Sequence, residues 1–145
     1  MSNYIMDLRA IVGHRPLLQV GASVIVVDPE GRILLQLRSD NHCWGYAGGS
    51  VELDESVEDA AKRELFEESG VKDAELIPVC DYWGFDDQGC SNGVVFLAVV
   101  HSLGELPESE MKETGLFDKL PGELTYPMTS PVLYREAEKV LKEAL

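Results

Sequence analysis

The chain is short of basic residues and of long hydrophobic runs. It has 12 lysines and arginines against 26 aspartates and glutamates, which gives a net charge of −14 at pH 7. A surface of that sign repels a nucleic-acid polymer, and no basic stripe along the sequence offsets it. The longest apolar run, residues 94–100, is far too short to cross a bilayer. We therefore expect neither a nucleic-acid polymer nor a membrane as a partner.

Cysteine is also scarce. Cys43, Cys80 and Cys90 form no Cys-x-x-Cys pair and are odd in number. This pattern predicts no disulfide framework and is typical of a reducing compartment. The N-terminus lacks a charged segment followed by a continuous apolar core, so we expect no signal peptide and a cytoplasmic location.

What the chain does have is enough length for one domain. Its 145 residues show no shift in composition, so we expect a single domain over 1–145. The periodicity predicts strands and helices in mixed order. They are a helix within 1–13, a hairpin of strands 19–27 and 32–38, a loop over 39–46 that brings Trp44 beside the Gly48-Gly49 turn, and a helix over 57–68. Strands 75–83 and 94–102 follow around a polar turn at 86–93, and then an acidic loop at 105–113 and a helix over about 131–145. This order predicts an α/β layered fold with helices covering a mixed sheet.

The most informative segment spans residues 49–71. Its fixed positions are Gly49, Glu55 and the run Arg63-Glu64-Leu65-Phe66-Glu67-Glu68-Ser69-Gly70-Val71. Residues 57–68 contain no proline or glycine and are rich in good helix formers. Ser56 suits the N-cap of this helix, and Gly70 suits its C-terminal end. The segment therefore predicts a turn and a loop carboxylate followed by an acidic helix.

Three glutamates of this helix, Glu64, Glu67 and Glu68, stand at i, i+3 and i+4 and share one surface. Like charges at that spacing repel, whereas a hard divalent cation with oxygen ligands removes the conflict. The spacing therefore predicts a site for Mg²⁺ or Mn²⁺. A merely solvated acidic helix is the alternative, and the accompanying Gly48-Gly49 turn, Glu55 and Arg63 argue against it. We expect Arg63 to pair with Glu55 or Glu67 and to orient them.

The whole pattern resembles the signature of the Nudix hydrolases, which cleave nucleoside diphosphates linked to another moiety. The resemblance is sharp over residues 44–71 and looser over about 20–141. It implies an α/β/α sandwich with a mixed central sheet. One position departs from the pattern, because Ala47 stands where many relatives have proline before the double glycine. That change removes no ligand, and we do not take it as evidence of inactivity.

The resemblance also implies roles for individual residues. Water would attack a phosphorus of the diphosphate linkage while metal ions neutralise the phosphate charge. The metal ligands would be Glu64, Glu67 and Glu68, together with the backbone carbonyl of Gly48, and Arg63 would orient the catalytic carboxylates. The base that takes the proton from water has three candidates, namely Glu64, Glu110 and Glu113. The last two lie in the predicted acidic loop, where solvated charge is the alternative.

Substrate contacts are predicted at three positions. Arg38 ends a strand at a place where family members often carry a basic residue that binds phosphate. An ordinary cation at a strand end would explain it equally well. Glu52 lies in the motif loop within reach of metal or substrate, with a solvated acid as the alternative. Trp83 is a candidate for stacking on a nucleobase. Trp44, Tyr82 and Phe85 could also stack there, although core or lid packing is the simpler account of all four aromatic residues.

Markers of several substrate subfamilies are absent. Asp86 occupies the place of the proline typical of ADP-ribose hydrolases, and Asp87 and Gln88 occupy that of the tyrosine typical of diadenosine polyphosphate hydrolases. We therefore expect a small nucleotide substrate, such as a nucleoside triphosphate, hydrolysed by a monomer or homodimer. The alternative is a non-catalytic Nudix-fold module that senses a nucleotide. The intact set of motif carboxylates favours the enzyme.

Overall fold

The structure is a computed structural model that describes residues 4–38, 42–72, 74–86, 89–100, 111–124 and 130–144. Its helices are α1 (Tyr4–Val12), α2 (Val57–Ser69) and α3 (Ser130–Ala144). Its strands are β1 (Leu17–Val27), β2 (Ile33–Arg38), β3 (Trp44–Gly45), β4 (Ala47–Ser50), β5 (Ile77–Asp86), β6 (Gly89–Val99) and β7 (Met111–Phe117). In the described residues these strands form one mixed sheet in the order β3-β2-β1-β6-β5, with β4 beside β1 and β7 beside β2. The predicted α/β fold with a mixed sheet is confirmed.

Strand β1 organises the sheet because it pairs along both edges. One edge runs parallel to β6 over its whole length, from Leu17↔Gly89 to Val27↔Val99. The other edge pairs antiparallel with β4 over residues 21–24 and with β2 at residues 26–27. Strands β4 and β2 therefore pair with different segments of the same edge of β1. The predicted hairpin of β1 and β2 is paired only next to its turn.

The core consists of two apolar layers, one on each face of the sheet. Side chains alternate along β1, so Ala22, Val24 and Val26 pack with Leu65 of α2. Ile25 and Val27 face the opposite side and pack with Leu133, Ala137, Val140 and Leu141 of α3. The two helices therefore cover opposite faces, which gives the layered arrangement expected. No helix in the described ranges is long and apolar enough to span a bilayer.

Helix α2 begins and ends at the residues that its sequence indicates. The Ser56 side chain accepts a hydrogen bond of 3.0 Å from the backbone N–H of Asp59. Gly70 adopts φ 74° at the other end, and its N–H bonds the carbonyl of Phe66. Glycine adopts this left-handed conformation without the steric cost that a Cβ would add. The predicted caps are confirmed.

Three segments differ from the expectations. The β5–β6 hairpin is longer than predicted, because β5 extends to Asp86 and the polar residues 89–93 lie in β6. Trp44 lies in the short strand β3 rather than in a loop. Residues 111–113 belong to β7, which pairs with β2, and not to a loop. These polar or glycine-containing stretches have weak strand propensity, and pairing with neighbouring strands overrides it.

Candidate active site

Arg63 is the centre of a hydrogen-bonded network on the surface of α2 that faces β4. Its guanidinium donates to both carboxylate oxygens of Glu55 at 3.0 and 2.6 Å, and to Glu64 Oε1 at 2.8 Å. It also donates to the carbonyl of Ser50 at 3.0 Å. The hydrogen bonds from Arg63 hold the pKa of the Glu55 carboxyl below its usual range. The planar guanidinium of Arg63 therefore links the motif loop, α2 and β4.

Replacing Arg63 by methionine is expected to destabilise the fold strongly. The Glu55 and Glu64 side chains, which are 15% and 13% exposed, would lose their cation. Removing one partner of a buried ion pair lowers the free energy of unfolding by about 3 kcal/mol. Lys62→Met is the matched control on the same helix, since Lys62 is 50% exposed and lies 3.7 Å from Glu58; we expect a change below about 1 kcal/mol there. Equal losses in urea denaturation would contradict this account.

The backbone of β4 presents polar groups to α2 at every second residue. The N–H of Val51 donates to the carbonyl of Val20 at 2.9 Å, so residues 20 and 51 are a hydrogen-bonded pair of the β1–β4 ladder. In an antiparallel pair the bonded positions alternate, so Gly48 and Ser50 direct their N–H and C=O groups away from β1. The N–H of Gly48 accordingly donates to Glu68 Oε2 at 2.8 Å. The carbonyl of Gly48 projects from this same edge.

The double glycine lets the helix and the strands approach closely. A Cβ atom on Gly49 would lie 2.6 Å from Cδ of Glu64. A Cβ atom on Gly48 would lie 2.6 Å from the carbonyl oxygen of Ala22 in β1. The absence of a side chain therefore leaves space for the Glu64 carboxylate at Gly49 and for the backbone of β1 at Gly48.

The three carboxylates of α2 differ in their burial and in the charged groups beside them. Burial raises the pKa of Glu68 to about 8, and the neighbouring charge of Glu64 adds to this while the bond from Gly48 opposes it. Burial also raises the pKa of Glu64, although the bond from Arg63 counteracts it. Glu67 is the most open of the three, with 40% of its side chain exposed, and lies 3.6 Å from Arg63. Crowded carboxylates of this kind favour a bound cation.

The donor set fits a hard divalent cation in kind, since it consists of carboxylate and carbonyl oxygens. Within the described part of the chain, however, no three acidic, histidine or cysteine side chains already converge as they would around a metal ion. Two of the candidate oxygens are already engaged, because Glu68 Oε2 accepts from the N–H of Gly48 and Glu64 Oε1 accepts from Arg63. A metal would compete with these protein donors for the same oxygens.

A cleft of about 260 Å³ lies beside this network. Gly21 and Gly93, which are paired across β1 and β6, lie in its lining. The ring of Tyr82 lies against Gly93, where a Cβ atom would stand 2.6 Å from the ring. The other lining residues include Gln19, Ser23, Tyr46, Ser91 and Asn92. The cleft is therefore largely polar, with an aromatic ring at its side.

Arg38 connects the cleft with the carboxylates. It lines the cleft together with Gly48 and Gly49. Its positive charge also acts on Glu68, where it opposes the rise in the pKa that burial causes. A cation between the cleft and the acidic helix suits the phosphate chain of an anionic ligand.

The other predicted contacts lie elsewhere. Trp83 does not line this cleft; it is 56% exposed, and strand alternation directs it to the opposite face of β5 from Tyr82. The Glu52 carboxylate accepts the N–H of Tyr4 at 2.8 Å and so caps α1. Trp44 packs edge-on against Phe117, with 4.8 Å between ring centroids. Glu110 lies outside the described residues, and Glu113 is described only as part of the β7 backbone.

Two residues at the site stand out less in the sequence than in the structure. The sequence favours Trp83 over Tyr82 as the stacking residue, whereas Tyr82 lines the cleft; the strand alternation between the two was a signal that they differ in environment. Gln36 carried no sequence signal at all, because it reads as one polar residue in an apolar strand. It is 1% exposed and bonds the backbone of Glu68.

Comparisons with known proteins identify a family. The family model of the NUDIX domain matches residues 17–124. A putative 8-oxo-dGTP diphosphatase of Bacillus subtilis is 48% identical over 50 residues, which are 34% of this chain and 34% of that protein. An RNA pyrophosphohydrolase of Hamiltonella defensa is 36% identical over 73 residues, 49% of this chain and 42% of that protein. The matched part thus spans less than half the length of these curated relatives.

A solved structure gives a longer match. The MutT NUDIX hydrolase of Burkholderia pseudomallei superposes with a TM-score of 0.68 at 29% identity, and the match covers 83% of this chain and 98% of that one. The family model alone covers well over half of the sequence, including the acidic helix and the cleft strands β1 and β6. On this evidence, the chain belongs to the NUDIX family.

Proposed function

We propose that this protein is a metal-dependent pyrophosphohydrolase acting on a small nucleotide, within a single domain over 1–145. The observation that carries the proposal is the position of Glu64 and Glu68 of α2 against the polar edge of β4, beside a cleft lined by Arg38. Named relatives that hydrolyse nucleotide or RNA pyrophosphate bonds support the reaction class. The crowded, partly buried carboxylates support a bound divalent cation.

The ligands of that cation would be Glu64, Glu67, Glu68 and the carbonyl of Gly48. When bound, Mg²⁺ or Mn²⁺ would neutralise phosphate charge and lower the pKa of a ligated water. Arg63 would keep Glu64 and Glu55 oriented through its short hydrogen bonds. Arg38 would contact the phosphate chain, and the nucleoside would lie in the polar cleft beside Tyr82. Trp83 and Glu52 have weaker support as substrate contacts, given their positions away from this cleft.

Glu64 is our preferred general base, with Glu110 and Glu113 as the alternatives. It is held beside Gly49 and Arg63, and burial already raises its pKa, which suits a proton acceptor. We expect Glu64→Gln to lower kcat by about 100-fold or more, the usual range for loss of a general base. Glu110→Gln and Glu113→Gln should each lower kcat by less than about tenfold. Single-turnover rates that fall more for Glu110→Gln or Glu113→Gln than for Glu64→Gln would transfer the role of general base to that residue.

A hydrolysis screen with Mg²⁺ and with Mn²⁺ tests the function. The substrates are nucleoside triphosphates, oxidised dGTP, ADP-ribose, nucleotide sugars, dinucleoside polyphosphates and a 5′-triphosphorylated RNA oligonucleotide. The net charge of −14 predicts that the RNA is the poorer substrate and that small nucleotides are preferred. Metal-dependent release of nucleoside monophosphate supports the proposal. Ligand-induced thermal stabilisation without hydrolysis of any substrate would instead favour the nucleotide-sensing module.

A further inference from the structure

Gln36 is a polar residue in a position that otherwise suits an apolar one. It lies in β2, is 1% exposed, and stands two residues after Leu34, which packs in the apolar layer under α2. Its Nε2 donates to the backbone carbonyl of Glu68 at 2.7 Å, across 32 residues of sequence. Its Oε1 is buried and, within the described structure, has no hydrogen-bond partner. A buried acceptor without a partner costs free energy, so packing alone does not explain a glutamine there.

The bond from Gln36 reaches the end of α2 where the site is formed. The last four carbonyls of a helix have no partner within the helix, and Glu68 is the penultimate residue of α2. The same residue directs its carboxylate to the N–H of Gly48 at 2.8 Å. Glu68 is therefore held at its backbone by β2 and at its side chain by β4. The amide of Gln36 therefore links the sheet to the last helical turn.

We propose that Gln36 is a positioning residue that holds Glu68 for metal binding. The inference rests on the proposed function, since it needs Glu68 as a metal ligand. Gln36 acts through the backbone of Glu68 and touches neither cation nor substrate itself. Groups that orient the ligands of a metal site typically change its affinity by about 10- to 100-fold when they are removed. The unpartnered Oε1 is the cost of keeping a donor at this point.

The test is a titration of the full-length protein with Mn²⁺ by isothermal calorimetry, which needs no turnover. Gln36→Met keeps the length of the side chain but removes the donor. We expect its dissociation constant for Mn²⁺ to be about 10- to 100-fold above that of the wild type. Gln36→Asn retains an amide that is one methylene too short for the bond, and should show the same loss.

Ile33→Val is the matched control. Ile33 lies in the same strand, is fully buried, and packs with Leu35 and Leu124 in a different cluster from α2. Trimming it loosens the core without touching the bond to Glu68, so its Mn²⁺ affinity should remain within about twofold of the wild type. A general loss of packing would affect this variant as well as Gln36→Met.

The outcomes separate the two proposals. Weaker Mn²⁺ binding in both Gln36 variants, with Ile33→Val unchanged, supports the positioning role. Wild-type affinity in Gln36→Met, or an equal loss in Ile33→Val, overturns it while leaving the metal site intact. Failure of both Gln36 variants to fold also overturns it, because Gln36 would then serve the fold alone. No Mn²⁺ binding by the wild type would instead refute the metal site of the proposed function.

Discussion

Glu67→Gln is expected to lower kcat for metal-dependent hydrolysis at least about 100-fold, equivalent to about 2.7 kcal/mol of transition-state stabilisation. The substitution removes one negative charge and leaves the shape of the side chain nearly unchanged. As a proposed ligand, Glu67 would lose most of its attraction for a divalent cation. The fold should not suffer, because Glu67 is 40% exposed and its contact with Arg63 is 3.6 Å long.

Glu58→Gln controls for the loss of an acidic charge from the same helix. Glu58 is 56% exposed and lies 3.7 Å from Lys62, away from the Arg63 network. We expect its kcat to stay within about twofold of the wild type, because surface charges outside the site contribute little. Both variants should melt within a few degrees of the wild type. Turnover at the wild-type rate in Glu67→Gln would remove the metal-site assignment.

Gly49→Ala is expected to abolish most activity while the protein remains folded. The added methyl group would occupy the space of the Glu64 carboxylate, since its Cβ would lie 2.6 Å from Cδ of that residue. A flexible side chain can move aside, so the free energy of unfolding should change by less than about 1 kcal/mol. Displacing a catalytic group by about 1 Å can reduce the rate by about 100-fold. Stopped-flow hydrolysis and urea denaturation measure the two quantities separately.

Gly48→Ala, in contrast, is expected to destabilise the fold. Its methyl group would meet backbone atoms of β1, the carbonyl oxygen of Ala22 at 2.6 Å and Cα of Ser23 at 3.0 Å. Backbone in the centre of a sheet cannot move aside as a side chain can, so the strands must separate. We expect a loss of about 1–3 kcal/mol in the free energy of unfolding, typical of overpacking. Similar stability in the two alanine variants would show that the strands at Gly48 yield as easily as the Glu64 side chain.

Much of the candidate site could be predicted from the sequence because its geometry is local. The capping of α2 by Ser56 and Gly70 depends on neighbouring residues alone. The spacing of the three glutamates places them on one helical surface in any context. The ion pairs of Arg63 could be predicted in part. Arg63 pairs with Glu55 as expected, but its distance to Glu64, 2.8 Å, is shorter than its distance to Glu67, 3.6 Å.

The cleft could not be predicted in the same way because it is built by strands far apart in sequence. Its glycine lining exists because Gly21 pairs with Gly93 across β1 and β6. The choice of Tyr82 over Trp83 depends on which face of β5 meets the cleft, and a one-residue change of register would reverse it. Strand β7 likewise owes its conformation to pairing with β2, against a weak local preference.

By itself, then, the sequence determined the acidic helix, its caps, the order of most elements and the family of the protein. Those features depend on contacts within a few residues or on a motif of fixed spacing. Only the tertiary structure decided that Gly48 and Ser50 face α2, that Gln36 holds the backbone of Glu68, and that Glu52 caps α1. Each of these depends on which residues of neighbouring strands are hydrogen-bonded to each other, or on packing between segments distant in sequence. Hydrogen bonds between such segments form only after the sheet has set the positions of the segments.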